Sequence, residues 1–310
     1  MKKTLGVVMI VKDEAEVIAD CLESVKDADA IYIVDTGSED DTIKICKRYT
    51  KNVYKYKWND DFAAARNFAL SKCDTDVVFS IDADEVLKTP IQRIKDTINS
   101  YNFSKYLGIV IQTQTENERL SQLRIFRNIE EIQWHGAIHE MIMYNGKLFK
   151  DRCLNTSFEL QSGYSPAHKK DPDRNLRILK HQLEKDDKDT RSMYYIAREY
   201  INRQDLDTAI EWLNKYFQIA YFRSATDFKD WTNELADACQ LLAMCYADKG
   251  NLKMAASAAV TAVLVLPSFS APMEMLAALF KDSYPVAHEF WQYLASRVNN
   301  AGILFDRKKS

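Results

Sequence analysis

The chain has 310 residues, with 42 Lys and Arg against 45 Asp and Glu for a net charge of −3. That balance argues against a broad polyphosphate-binding surface and leaves open only a local basic patch. With 46% apolar and 28% charged residues, the composition is that of a globular protein long enough for a sizeable core and two domains.

The opening MKKTLGVVMIVKDEAE has the outline of a signal peptide. Its apolar run is only about seven residues, however, and it ends in Lys12-Asp13-Glu14 without a small-residue cleavage site. It therefore reads as a first β-strand. Val17, Ile18, Cys21, Leu22 and Val25 then fall at helical spacing. AIYIVD predicts a second strand, and DDTIKICKRY a helix with Asp40 or Asp41 as its cap. NVYKY predicts a third strand, DFAAARNFALSK a third helix and DVVFSID a fourth strand. Alternation of this kind means a parallel sheet covered by helices on both faces.

Beyond residue 105 the pattern changes. YLGIVIQTQT, SQLRIFRN and HEMIMYNGKLF read as strands without intervening helices, so the sheet is expected to end in mixed or antiparallel pairing. SGYSPAHKKDPDR, residues 162–174, holds the dense turn chemistry of a boundary, giving an α/β domain over 1–165 and an all-α domain over 166–310.

The second half reads as an internal repeat. Ala197, Tyr200, Ala209 and Leu213 occupy the small and large positions of a tetratricopeptide helix pair, and Ala243, Tyr246, Gly250, Ala255 and Pro267 do the same. Ala209 and Ala255 lie 46 positions apart, one repeat of about 34 residues plus about twelve that YFRSATDFKDWT supplies. A looser third pair spans Pro272 to Ser296; an unrelated helical bundle is the alternative. No stretch approaches the ~18 apolar residues of a membrane span. The six cysteines (Cys21, Cys46, Cys73, Cys153, Cys239 and Cys245) include no CxxC pair and read as reduced thiols of a soluble, cytoplasmic protein.

The chemistry gathers at strand ends. In VVFSIDADEVL an apolar strand runs into Asp82, Asp84 and Glu85, and two earlier strands end in Lys12-Asp13-Glu14 and Asp35. Ligands of an open α/β sheet bind outside the carboxyl ends of its strands, so these carboxylates face a cleft. A lone D-x-D is most often a solvated turn. Here its position after a buried strand suits it to a hard divalent cation shared with substrate phosphates. GxGxxG, GxxxxGK[ST] and GxSxG are all missing, which counts against dinucleotide dehydrogenases, P-loop NTPases and α/β-hydrolases. Ser38 in DTGSED reads as a turn or cap residue rather than a nucleophile.

Together, VVMIVKDEAEVIADCLESVKDADAIYIVDTGSEDDTIKIC, DDFAAARNFAL and VVFSIDADE resemble the nucleotide-sugar glycosyltransferases of family 2 with the GT-A fold. The resemblance is to the bacterial and viral branch with tetratricopeptide-like repeats after the catalytic domain. It is dense over residues 5 to about 145 and implies an inverting transfer from a nucleotide-diphosphate sugar, a UDP-sugar, with Mn²⁺ or Mg²⁺. It also implies that Val11 and Glu14 line the base and ribose, that Asp35 contacts the base and that Arg66 reaches the nucleotide. Asp82 would face ribose and metal, and Asp84 would ligate the metal. The segment RIFRNIEEIQWHGAIHE resembles the family's second motif and implies Glu140 as the base that takes the acceptor's proton, with His139 a metal or phosphate contact. Structural readings stand beside these: Arg66 as a surface arginine, Glu14 as a cap, and Glu140 in an ion pair with Arg124 or Arg127. One departure is Gln161 in QSGY, where relatives often carry histidine; His168 is the substitute the sequence offers.

The acceptor, a hydroxyl or thiol, is read first as a polypeptide held by the helical repeats. A cell-surface glycan precursor comes second. A hydroxymethylated DNA base comes third, with Tyr194, Tyr195, Arg198, Trp212, Arg223 and Trp231 available for stacking and phosphate contact. Two other classes compete: a tetratricopeptide interaction protein with an inert transferase domain, and a glycoside hydrolase using paired carboxylates.

Overall fold

The computed structural model describes residues 2–115, 119–163, 171–220 and 225–298. The chain forms two compact units, Met1–Arg174 and Asn175–Ser310. The division falls at the end of the turn-rich stretch rather than at residues 165/166.

The first unit is built on eight strands. β1 (Leu5–Val11), β2 (Ala30–Asp35), β3 (Val53–Lys55) and β4 (Val77–Ser80) are the four runs expected from the sequence. β5 (Glu85–Leu87), β6 (Gly108–Gln114), β7 (Arg119–Arg127) and β10 (Cys153–Ser162) complete the sheet, in the order β3-β2-β1-β4-β7-β6-β10-β5. β1 to β4 pair in parallel, while β7 runs antiparallel to both β4 and β6. The sheet is therefore mixed, as expected. A separate hairpin joins β8 (Ile132–His135) to β9 (Met141–Tyr144).

Side-chain alternation along β1 divides the core. Leu5, Val7 and Met9 face a cluster with Ile18, Cys21 and Leu22 of helix α1 (Ile18–Val25) and Ile91, Ile94 and Ile98 of α4 (Ile91–Ile98). Val8 faces the other layer with Tyr32, Val34, Val78, Phe126 and Trp134, where Ala63 and Ala69 of α3 (Phe62–Leu70) pack. One-residue alternation with both faces covered is what a central parallel strand requires. A short helix, α2 (Thr42–Cys46), follows β2.

The sequence reading missed β5, β8 and β10. β10 is the largest omission, because it lies inside the sheet between β6 and β5. Its residues CLNTSFELQS mix polar and apolar positions, and its register shifts between Asn155 and Glu159, which breaks the period-2 signal.

The second unit holds α5 (Arg174–Lys185), which begins at its boundary, then α6 (Thr190–Asn202), α7 (Leu206–Ala220), α8 (Ala225–Asp248), α9 (Leu252–Val265), α10 (Ser270–Phe280) and α11 (Pro285–Arg297). α6 packs on α7, α8 on α9 and α10 on α11. The small positions are spent on close approach: Ala197, Ala209, Ala243 and Ala255 are wholly buried. Gly250 turns the chain between α8 and α9 at φ +76°, a conformation that favours glycine. The extra residues from Ala225 onward lengthen α8 to 24 residues.

One expectation is corrected here. Tyr194 is fully buried and donates to Asp237 Oδ2 at 2.6 Å, and Tyr195 is buried beside it, so neither ring is available to stack a nucleobase. Arg198 donates to the Tyr194 hydroxyl at 3.0 Å, and Trp212 carries Lys215 over its ring. Arg223 and the Trp231 side chain lie outside the described residues. No described helix is long and apolar enough to cross a membrane.

Helix α3 has an Asp61 cap whose side chain accepts from the Ala64 amide at 2.8 Å. Asp61→Ala should lower stability by about 1 kcal/mol, read as a shift in urea midpoint at unchanged slope.

Candidate active site

Two loops at the carboxyl ends of β1 and β2 are stitched together by short side chains. The Thr36 amide and hydroxyl both donate to the Val11 carbonyl, at 3.0 and 3.1 Å. Asp35, buried at the end of β2, accepts from the Ser38 amide at 2.9 Å. Ser38 Oγ in turn accepts from the Asp13 amide at 3.0 Å, and Asp13 Oδ1 accepts from the Glu39 amide at 2.8 Å. Asp13 sits at φ +55°, and the following Glu14 amide donates to Thr42 Oγ1 at 2.7 Å. Ser38 is thus a turn residue. Asp40 accepts from the Thr42 amide at 2.9 Å, one residue before the helix's formal cap, Asp41.

The end of β4 enters a chain of charges alternating in sign. Arg66 on α3 donates through Nη2 to Asp82 Oδ1 at 2.8 Å and through Nε to Glu140 Oε1 at 2.5 Å. Arg124 on β7 meets Asp82 Oδ2 through Nη1 at 3.3 Å and Glu85 Oε1 through Nη2 at 2.6 Å. Glu85 closes the loop by accepting from the Asp82 amide through Oε2 at 2.8 Å. The order is Glu140–Arg66–Asp82–Arg124–Glu85. Burial works against charge on Asp82, but the two guanidinia overcome it and hold the carboxyl well below the usual range. Glu85 is only 3% exposed. Burial lifts it to about 7, against the pull of Arg124 and with repulsion from Asp82.

Arg66 is not a surface arginine. Its side chain is 11% exposed, it pairs with two carboxylates, and it stacks 4.9 Å from the Trp134 ring. Glu140 pairs with Arg66, not with Arg124 or Arg127; Arg127 instead donates to the Tyr106 and Ser104 carbonyls at 2.8 Å each. The structure therefore brings Arg66, Asp82 and Glu140 together across long stretches of sequence. Val11, Glu14 and Asp35 sit together at the β1 and β2 ends.

The expected metal set of Asp82, Asp84 and His139 does not form a three-residue cluster, since no group of three or more metal-ligating side chains occurs among the described residues. His139 occupies a left-handed turn at φ +52° beside Glu140. The donor chemistry of Asp82 and Asp84 still fits a hard divalent cation, which is commonly held by one or two carboxylates plus substrate phosphates rather than by an all-protein cage.

Glu85, counted among the carboxylates facing the cleft, is instead buried against Arg124, and Arg124, Trp134 and Gly163 were missed as parts of the site. Arg124 left a partial signal, a charge between the apolar Leu123 and Ile125 of β7. Gly163 follows β10, whose end pairs with β5. A Cβ built there would lie 2.3 Å from the Asp84 carbonyl oxygen, so only glycine lets the two backbones approach. Gln161 donates to the Gln114 and Ser162 carbonyls at 3.0 and 3.1 Å. His168 lies outside the described residues.

The family model "Glycosyl transferase family 2" matches residues 6–162. The SPbeta prophage-derived glycosyltransferase SunS of Bacillus subtilis is 27% identical over 245 residues, covering 76% of this chain and 57% of that protein. A TPR repeat-containing protein of Synechococcus elongatus is 36% identical over 139 residues, covering 43% of this chain and 34% of its own length. The chain thus spans between about a third and three fifths of these relatives. Among solved structures, Staphylococcus aureus TarS 1-349 in complex with UDP-GlcNAc aligns over 94% of this chain and 92% of that one, at 14% identity and a TM-score of 0.44.

Gly163→Ala should push the Asp84 backbone out of place. Binding of UDP in the presence of Mn²⁺, measured by calorimetry, should weaken by about tenfold or more, a misplacement effect, while the thermal midpoint moves little.

Proposed function

The chain belongs to glycosyl transferase family 2, and from that premise we propose that it transfers a sugar from a UDP-sugar to a hydroxyl or thiol acceptor with inversion at the anomeric carbon. The observation that carries this reading is the Glu140–Arg66–Asp82 bridge, in which one guanidinium spaces a carboxylate at a strand end from a carboxylate on the hairpin. Asp82, with Asp84, lies at the carboxyl edge of the parallel strands, the donor side of such a sheet. Glu140 stands across Arg66 on the acceptor side. Among the described residues only its Oε1 accepts a hydrogen bond, and Oε2 is the oxygen assigned to the acceptor's proton.

In the transfer, the acceptor oxygen or sulfur forms a bond to C1 of the sugar while its proton passes to Glu140. The bond from C1 to the diphosphate breaks on the opposite face, and its electron pair leaves with UDP. Asp84, with Asp82, would hold Mn²⁺ or Mg²⁺, which when bound supplies positive charge to the departing diphosphate. Arg66 holds the Glu140 carboxylate at a fixed distance from Asp82, and Arg124 fixes Asp82 from the other side. Val11, Glu14 and Asp35 would line the base and ribose, as the stitched loops already place them at one edge.

A polypeptide acceptor is favoured by the helix pairs of the second unit, read as tetratricopeptide-like, because stacked helical hairpins present extended surfaces suited to peptides. A glycan precursor is the second reading. The DNA-base acceptor loses its support with the burial of Tyr194 and Tyr195.

The reading is tested by a screen of UDP-sugars for nucleotide release with Mn²⁺, followed by mass spectrometry of candidate acceptors. Glu140→Gln should lower kcat by about 10²- to 10⁴-fold, the range of a lost general base, with UDP affinity unchanged. Asp84→Asn should nearly abolish transfer and also remove the Mn²⁺ dependence of UDP binding. Near-normal transfer by Asp84→Asn at limiting Mn²⁺ would refute the metal role.

A further inference from the structure

The loop that carries Glu140 has little of its own to hold it. β8 and β9 form a two-stranded ribbon outside the main sheet, and residues 136–140 connect them through left-handed turns at Gly136 (φ +92°) and His139 (φ +52°). An isolated hairpin of this size is at best marginally stable. A carboxylate at its tip needs external fixing.

That fixing comes from α3. The Phe62 amide, one of the unpaired donors at the helix start, donates to the Ala137 carbonyl in the loop at 2.8 Å. Arg66 Nε reaches Glu140 itself, one turn along. Next to Arg66 stands a contact the proposed chemistry does not use: Asn67 grips the backbone of Trp134 in both directions. Its Nδ2 donates to the Trp134 carbonyl at 2.9 Å, and its Oδ1 accepts from the Trp134 amide at 2.9 Å. An asparagine amide carries one donor group and one acceptor at the spacing of a peptide, so it pairs with the open edge of β8 as a neighbouring strand would. Aspartate matches its size but has no proton to give the carbonyl.

We infer that Asn67 is a positioning residue for the base, its two-way amide clamp on Trp134 holding the β8–β9 hairpin so that Glu140 stands at its distance from Asp82. The inference rests on reading Glu140 as the base. Register transmits the effect: Trp134 pairs with Ile142 and His135 with Met141, the residue directly after Glu140. Slack at Trp134 therefore becomes displacement at Glu140. The donor-side loops on β1 and β2 make none of these bonds, so donor binding is expected to be indifferent to Asn67.

The test uses the full chain and the UDP-sugar that gives the fastest nucleotide release. Asn67→Asp keeps the acceptor and the volume but loses the donated bond. It should lower kcat by about 10- to 100-fold, the cost of an ångström-scale misplacement, with donor KM and the UDP dissociation constant within about twofold of wild type. Amide exchange followed by mass spectrometry should speed up over residues 132–141 and stay unchanged over β1 and β2. Asn67→Ala, which drops both bonds, should show larger changes in the same quantities. In the unmodified protein the Trp134 amide should exchange slowly, and fast exchange there would overturn the clamp whatever the variants do. Wild-type kcat in Asn67→Asp, or loss of UDP binding in step with kcat, would also overturn it. Glu140→Gln separates the two readings. A slow Glu140→Gln with a normal Asn67→Asp removes the clamp alone, whereas a Glu140→Gln at wild-type rate removes the base and the clamp's purpose with it.

Discussion

A largely buried guanidinium shared between two carboxylates is the constraint around which the first unit is arranged. Arg66 is nearly buried, and a buried cation without partners costs several kcal/mol. It is tolerable here because Asp82 and Glu140 approach from different directions and Trp134 covers its face. Each partner lies on a different element: the end of β4, the hairpin loop and β8. Satisfying one side chain thus requires the sheet, the helix and the hairpin to be in register together. Lysine would not substitute, since a single ammonium lacks the planar fork that addresses two carboxylates at once.

The same logic extends one step further. Asp82 accepts from two arginines, so Arg124 needs its own counter-ion, and Glu85 supplies it from deep burial. Alternating sign along five side chains keeps each of the three interior charges between neighbours of opposite sign. The arrangement has little redundancy. Removing an interior member leaves two like charges facing a gap, which in a low-dielectric pocket is worse than removing the whole set. Glu85 also accepts from the Asp82 amide, so the charge chain and the backbone of the D-x-D turn are held by one carboxylate.

Much of this was legible in the sequence, and what was not has physical reasons. β1, β2 and β4 announced themselves because they are buried on both faces, which makes uninterrupted apolar runs. Asp82 and Asp84 stood out because charge follows such a run without a turn. The partnership of Arg66 with Glu140 spans 74 positions and depends on how the hairpin folds back, which no local pattern encodes. β10 was hidden by its register shift, and Gly163 looked like an ordinary turn residue because its requirement is a neighbour's carbonyl, not its own conformation. The helical unit gave the opposite lesson. Its buried alanines were read correctly from spacing, yet Tyr194 and Tyr195 were misread, since an aromatic-rich helix face looks the same in sequence whether it meets solvent or another helix.

The composition of α3 explains how so short an element reaches so far. Ala63, Ala65 and Ala69 are its buried residues, and Ala63 and Ala69 join the layer of Val8, Tyr32, Val34 and Val78 over β1, β2 and β4. Larger side chains there would push the helix axis outward, because close packing leaves no slack to absorb added methylenes. An outward shift of an ångström would stretch the Arg66–Asp82 contact at 2.8 Å and the Asn67–Trp134 bonds at 2.9 Å beyond hydrogen-bond range. The small residues of FAAARNFAL therefore act at a distance. By letting the backbone settle onto the sheet, they set the reach of Arg66 and Asn67, and through these the separation of Glu140 from Asp82.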